Sequence, residues 1–408
     1  MGEASWLLTF NAGSSSLKAG VFEYREGVRS RFRIAVRDIG RDRSTLTTGS
    51  AAEDIGHVAS VEAAAKLLLD RLEKGIDGTA IDRRNVAATG HRVVHGGEQY
   101  ARAVLVDRDV FESLESLNHL APLHNPPALA VMKVVQERFS GVAVVAEFDT
   151  AFFHDLPDAA RAYAIPSELA TRYGIRRYGF HGLAHQYMSK QLESLAPDGK
   201  HPERMLTLHL GQGCSVAAHR DGRPVETSMG FTPLEGLVMG TRSGDIDAGI
   251  LLYLAQRGHR WNELEDTLNR NSGLLGLSGE SDDIRTLQEL EARQHPGARL
   301  ALAVFCQRIL KYLGAYAAVL GGVDTIVFGG GIGENSPVIR ARVCSGLGWL
   351  GLEIDEKANA GCVGEGGRIS TDGSSIEVHV IPVDEEPVIA GATWDVLRGA
   401  DDSGETVA

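Results

Sequence analysis

One supersecondary unit occurs twice in this chain, and it constrains the fold more than any other feature. An apolar run from Trp6 to Phe10 leads into Asn11-Ala12-Gly13-Ser14-Ser15-Ser16 and on into a second apolar run through Leu17, Ala19, Val21 and Phe22. Met205 to Leu210, then Gly211-Gln212-Gly213-Cys214-Ser215, then Val216 to Ala218 repeat that order, and Gly213 stands 200 residues after Gly13. Each unit reads as strand, tight polar turn, strand. A repeat at so long a period predicts two related domains opened by the same unit, not a short-period solenoid. Between the units the spacing is helical: Val61, Ala64, Ala65, Leu68 and Leu72 share one face, and helices are expected from about Pro126 to Arg138, with Asn125 as N-cap, and from about Ala298 to Leu320. A β-branched strand, Asp324 to Phe328, precedes a third glycine-rich turn, Gly329 to Asn335, and Ser336-Pro337 opens another helix. Alternating strands and helices imply an α/β fold. No Pro/Ser-rich linker is visible, so two domains meeting across a cleft are expected: 1–150 with 386–408, and 151–385.

Composition narrows the function. Of 408 residues 48 are glycine and only 13 proline, which fits tight turns and close backbone approaches. Acids outnumber bases 54 to 41, and the net charge of −13 disfavours nucleic acid as a partner. Anions must then be held by local features. Cys214, Cys306, Cys344 and Cys362 form no metal-like spacing and no disulfide framework, which fits a reducing cytoplasm. The segment Met1 to Trp6 carries no targeting signal, and Gln307, Arg308 and Lys311 interrupt the apolar stretch Leu300 to Leu320, so it reads as a core helix and no membrane is expected.

The three glycine-rich turns after strands are suited to cradling phosphate with backbone N–H groups, although each alone is equally a plain tight turn. None is a Walker A loop: Gly199-Lys200 is followed by His201. Gly346-Leu347-Gly348-Trp349-Leu350-Gly351 matches G-x-G-x-x-G but follows a helix, so it is read as chance. His91 and His95 are four apart, yet the flanking glycines argue against a metal-binding helix and for structural hydrogen bonds. Arg92 and Arg242 are the cations placed to fork onto carboxylate or phosphate oxygens, whereas Arg176 and Arg177 look like ordinary surface ion-pair residues. Asp149 ends an apolar strand, where α/β folds expose ligand-binding groups. Asp384-Glu385-Glu386 either cap a helix starting near Pro387 or hold a metal and its phosphates.

These segments carry a pattern. Asn11 to Lys18, Gly90 to Gly97, Ala121 to Pro126, Tyr178 to Gly182, Met229 to Gly236, Met239 to Asp245 and Gly329 to Asn335 resemble, in order, the signatures of the acetate kinase family within the acetate and sugar kinase, Hsp70 and actin superfamily. The resemblance implies two ribonuclease-H-like (actin-like ATPase) domains flanking an active-site cleft, a homodimer, and phosphoryl transfer from ATP to acetate with Mg²⁺, Mn²⁺ being an alternative. It implies Asn11 and Glu385 at the metal; Lys18, His209, Gly211, Gln212 and Gly213 at the ATP phosphates; Asp283, Arg285, Gly329, Gly330, Gly331 and Ile332 at the adenosine. Arg92, Arg242, Asp149 and His181 would surround the transferring group, and Val94, Leu123, Phe180 and Pro233 would line the acetate pocket.

Chemistry makes those roles coherent. Acetate is already ionised at neutral pH, so direct in-line transfer needs no general base, and Asp149 is expected to be a positioner. Three departures from the family pattern bear on this: Gln212 stands where Asn is usual, Asp384 where Asn is usual, and Ala248 where proline often follows Asp247. A propionate or butyrate kinase of the same fold is the nearest alternative; a nucleotide-driven assembly protein is a more distant one.

Overall fold

The computed structural model describes residues 5–403 except positions 14, 25, 26, 77, 196–198 and 200. Ser14 of the first turn, Lys200 of the Gly-Lys pair and the segment 1–4 read for a targeting signal lie outside the described residues. The chain divides into two units, Met1–His154 with Asp384–Ala408, and Asp155–Val383.

The first unit contains β1 (Ser5–Ala12), β2 (Ser16–Tyr24), β3 (Val28–Arg37), β4 (Ser44–Thr48), β5 (Ala51–Gly56), β6 (Val86–Val93), β7 (Val104–Leu105) and β8 (Ala143–Phe148). They form one sheet in the order β5-β4-β3-β2-β1-β6-β8-β7. β1, β6 and β8 are parallel, and β2 runs antiparallel to β1. β1 and β8 read as unbroken apolar runs because both faces of the sheet are covered. Leu8, Phe10 and Leu17 join a core with Leu68, Leu72, Val131 and Val135 from helices Val61–Lys74 and Asn125–Arg138. On the other face Leu7 and Phe22 meet Ala390 of the C-terminal helix, Glu386–Ser403.

The second unit repeats the plan with β9 (Arg204–Leu210), β10 (Cys214–Arg220), β11 (Arg223–Thr227), β12 (Thr325–Gly329), β13 (Gly367–Arg368) and β14 (Glu377–Val380), ordered β11-β10-β9-β12-β14-β13. Again three neighbouring strands, β9, β12 and β14, are parallel and the hairpin partner β10 is antiparallel. Both units thus contain the order third, second, first, fourth, fifth strand of a ribonuclease-H-like sheet, and the hairpins β1–β2 and β9–β10 are its opening element each time. The long helix Pro296–Leu320 buries Ala298, Leu302, Phe305, Ile309, Leu313 and Tyr316 along one stripe and ends at Gly321, whose φ of 73° suits glycine. Length and hydropathy would also suit a membrane span; its buried stripe and polar Gln307, Arg308 and Lys311 are those of an amphipathic core helix.

Two local expectations fail for identifiable reasons. Asn125 does not cap its helix but begins it: its side chain accepts from His95 N at 3.1 Å and donates to His95 O at 3.0 Å, a buried exchange across the unit. Arg177 is no surface residue. Its guanidinium pairs with Glu235 at 2.6 Å and donates to the carbonyls of Ala160, Thr227 and Met229, tying the short helix Asp158–Arg161 to the end of β11 and the segment after it.

Candidate active site

In the first unit the candidate side chains collect at the carboxyl ends of three adjacent parallel strands, where such sheets place ligands. Asn11 lies near the end of β1, Arg92 near the end of β6, and Asp149 just after β8. Strand order therefore brings together residues far apart in the chain. Arg92 Nε and Nη2 fork onto Asp149 at 2.9 and 2.5 Å, and Nη1 donates to Asn11 Oδ1 at 2.9 Å. Glu385 arrives from the opposite end of the chain because the C-terminal helix packs on β1 and β6; it accepts from Asn11 Nδ2 at 2.6 Å and lies 3.8 Å from Arg92. Burial works against the Arg92 charge, but Asp149 and Glu385 outweigh it and raise its pKa. Asp384, the extra acid, is paired with Arg33, so its charge is partly met within the unit. Glu386 is buried and pushed up to about 7, by burial first and then by Asp384. Lys18 is exposed on β2, in register with Asn11. Val94 is buried after β6, and Leu123 is half exposed.

Of the two histidines, His91 bonds Thr89 Oγ1 at 3.1 Å from within β6, and His95 Nδ1 accepts from Gly97 N at 2.9 Å. Among the described residues no group of three His, Cys, Asp or Glu is placed to hold a metal.

The second unit gathers the other candidates after β9 and β12. Gly211, Gln212, Asp283, Arg285, Gly331 and Ile332 line a cavity of about 530 Å³. Asn335 and Ser336, from the third glycine-rich turn and the helix start after it, complete its wall together with Asp282, Ile284 and Val363, which no motif had singled out. Gly329 and Gly330 stand behind it: a Cβ on Gly329 would meet Val383 and Met188, and one on Gly330, at φ 76°, would meet the Leu210 backbone at 2.7 Å. Gly330 thus serves close approach to the end of β9, and Gly329 close packing against Val383 and Met188. Gln212 uses its extra methylene to donate to Asp282 at 3.1 Å.

Gly213 faces elsewhere. A Cβ there would stand 3.1 Å from His181 Cε1, 3.2 Å from His181 Nε2 and 3.7 Å from Arg242 Nη1, so the turn, the histidine and the arginine share one spot. The His209 ring lies 4.7 Å from that of His181. Arg242 contrasts with Arg92. Nη1 donates to Pro233 O at 2.9 Å, no carboxylate lies within ion-pair distance among the described residues, and burial lowers its pKa. Phe180 is buried beside His181 in sequence, and Pro233 is half-buried. Asp245 accepts from Gly236 N and from Tyr312, and Asp247 caps the helix Ala248–Gln256, so the missing proline leaves that helix start intact.

Arg340, unmarked by any motif, is fully buried. It donates to the carbonyls of Gly333, Glu334, Asn359 and Cys362, bracing the glycine-rich segment that ends in the cavity wall. A single arginine in an ordinary helix pattern carries no sequence signal of this role.

Known proteins extend the picture. The model of the acetokinase family matches residues 6–391. Acetate kinase of Thermotoga maritima is 43% identical over 400 residues, covering 96% of this chain and 98% of that protein. Acetate kinase of Heliobacterium modesticaldum is 41% identical over 405 residues, covering 96% and 100%. Among solved structures, Porphyromonas gingivalis acetate kinase superposes with a TM-score of 0.86 at 36% identity, and a propionate kinase from Francisella tularensis with 0.86 at 34%; each comparison covers 96% of this chain and 100% of the other.

Proposed function

The chain belongs to the acetokinase family, and from that premise we propose that it transfers the γ-phosphoryl group of ATP to acetate, giving ADP and acetyl phosphate. The observation that carries the reading is the meeting of the Gly213 turn, His181 and an Arg242 that no carboxylate among the described residues neutralises. A desolvated guanidinium with spare donors favours an anionic ligand, and phosphoryl transfer spreads charge over three oxygens that need such donors. The cavity walled by Asp283, Arg285, Gly331 and Ile332 supports nucleotide binding in the same unit.

Arg92 adds a second cation, and Asp149 acts on it: both carboxylate oxygens are engaged by the guanidinium fork. Asp149 is a positioning residue, as expected for a nucleophile that needs no base. Val94, Leu123, Phe180 and Pro233 are assigned to the acetate methyl. Asn11 stands beside Glu385, its Nδ2 donating to the carboxylate while its Oδ1 accepts from Arg92, so Glu385 is the hard oxygen ligand placed for Mg²⁺, which takes one or two such ligands plus substrate phosphates, and Asn11 orients it. When bound, the ion supplies positive charge to the phosphate oxygens. Four free cysteines suit a reducing cytoplasm. We assign a homodimer to the helix Ala248–Gln256, which is apolar yet buries no residue, with Ile250, Leu252 and Tyr253 exposed; a helix of that composition calls for burial, here by a second copy.

Trapping acyl phosphate with hydroxylamine, using Mg-ATP and acetate, propionate or butyrate at matched concentrations, tests the reading. Acetate should give the highest kcat/KM. A longer acid winning would rename the substrate and keep the chemistry, and no product from any acid would reject the proposal.

A further inference from the structure

His181 is joined to a line of buried polar side chains that phosphoryl transfer does not by itself require. Its Nδ1 lies 2.9 Å from Ser215 Oγ; Ser215 Oγ lies 2.8 Å from His185 Nε2; His185 Nδ1 lies 2.7 Å from Thr207 Oγ1; and Thr207 Oγ1 lies 2.7 Å from His219 Nε2. Ser215, His185, Thr207 and His219 are fully buried. Three elements build the line: β9 supplies Thr207, β10 supplies Ser215 and His219, and helix Gly182–Leu195 supplies His185 one turn after His181. His181 itself holds a left-handed backbone, φ 59°, which a non-glycine residue keeps only where its surroundings impose it.

We propose that Ser215, His185, Thr207 and His219 are positioning residues that hold the His181 ring in place and present it to the phosphoryl oxygens as the Nε2–H tautomer. The argument is one of counting protons. Each hydroxyl has a single hydrogen and sits between two ring nitrogens; with that hydrogen kept within the line, it donates to one and accepts from the other. Burial holds His185 neutral, with one N–H. Only two polarities of the whole line are then available. In one, His219 Nε2–H donates to Thr207, Thr207 to His185 Nδ1, His185 Nε2–H to Ser215, and Ser215 to His181 Nδ1, which leaves the His181 proton on Nε2. In the other every bond is reversed, and a neutral His181 offers only a lone pair at Nε2. Nε2 is the atom that faces the Gly213 turn, and phosphoryl oxygens only accept. For a His181 ring carrying a single proton, the first polarity is therefore the one compatible with phosphate at this turn, a step that rests on the function proposed above.

The test combines a spectrum with kinetics on the full chain. With ¹⁵N-labelled histidine, and His181 assigned by comparison with His181→Gln, the complex with a non-hydrolysable ATP analogue should show a proton on His181 Nε2 and a bare, hydrogen-bonded Nδ1 whose resonance moves in Ser215→Ala. That variant should lose about 10- to 100-fold in kcat, as supporting-residue changes do, with KM for ATP and acetate changed by less than about twofold. His185→Gln keeps an N–H toward Ser215 and should retain more kcat than His185→Leu. A His181 proton on Nδ1 in the complex, or a Ser215→Ala kcat within about twofold of wild type, overturns the proposal. If His185→Leu does not fold, the wild-type spectrum and Ser215→Ala decide. The Nδ1 resonance in the free protein tests the Ser215 bond without turnover, so failure of the acetate reading is seen separately, as absent hydroxamate.

Discussion

Arg92 and Arg242 carry the same side chain in opposite surroundings, and their substitution should separate stability from activity. Arg92 is 15% exposed and compensates an Asp149 side chain that is 1% exposed. Removing it strands a buried carboxylate, so Arg92→Met should cost about 3–5 kcal/mol of stability as well as activity. Arg242 compensates no carboxylate among the described residues; Arg242→Met should leave the unfolding temperature level or higher while kcat falls at least about tenfold, or ~1.4 kcal/mol. Thermal unfolding beside steady-state kinetics checks both. If both variants lose stability alike, the distinction between them is wrong. Motif residues such as Arg92, Asp149 and His181 were legible in the sequence because glycines and strand ends frame them. Thr207 and Ser215 were not: each is one small polar residue in an apolar strand, and only the β9–β10 pairing shows that both face His185.

At the scale of elements, the seat of the C-terminal helix on β6 is set by Gly90. A Cβ there would strike Thr393 Oγ1 and come within 2.9 Å of Ile389 Cγ2. Gly90→Ala should therefore cost about 1–3 kcal/mol, whereas Gly391→Ala in the same helix, with open space around it, should gain up to ~1 kcal/mol from propensity. Equal unfolding temperatures for the two would show that the helix yields more readily than its packing implies. Glu385 rides at the start of this helix, so, with the metal role proposed for it, the same displacement should raise the Mg²⁺ concentration needed for half-maximal activity. Helix ends were largely legible, since caps and C-terminal glycines act over a few residues. Asn125 was misread because a local cap and a long-range partner compete for one amide, and the sequence pattern contains only the first.

Across the whole molecule, neutral buried histidines govern the response to acid. His91 and His219 are held near pKa 3 by burial, His95 at about 4, and His185 well below its ordinary value. Between about pH 6.5 and 4 the unfolded chain binds protons at these positions and the folded chain does not, so each removes about 1.4 kcal/mol per pH unit as pH falls. Glu386 and Glu226, raised by burial, act in the opposite sense, the folded chain holding the proton longer as pH rises. Four groups outweigh two. The unfolding temperature should fall between about pH 7 and pH 5; a level value across that range would contradict the neutral-histidine assignment.

The amino-acid sequence by itself determined the α/β class, the repeated hairpin unit 200 residues apart and the identity of the glycine-rich turns, because alternation, turn chemistry and capping are local and survive without a fold. The tertiary structure alone decided which of those residues meet. Asn11 and Glu385 are 374 positions apart, and their 2.6 Å contact exists because a C-terminal helix returns to the first sheet. The buried line behind His181 depends in the same way on strand register and on one helical turn, relations between elements that no stretch of sequence contains.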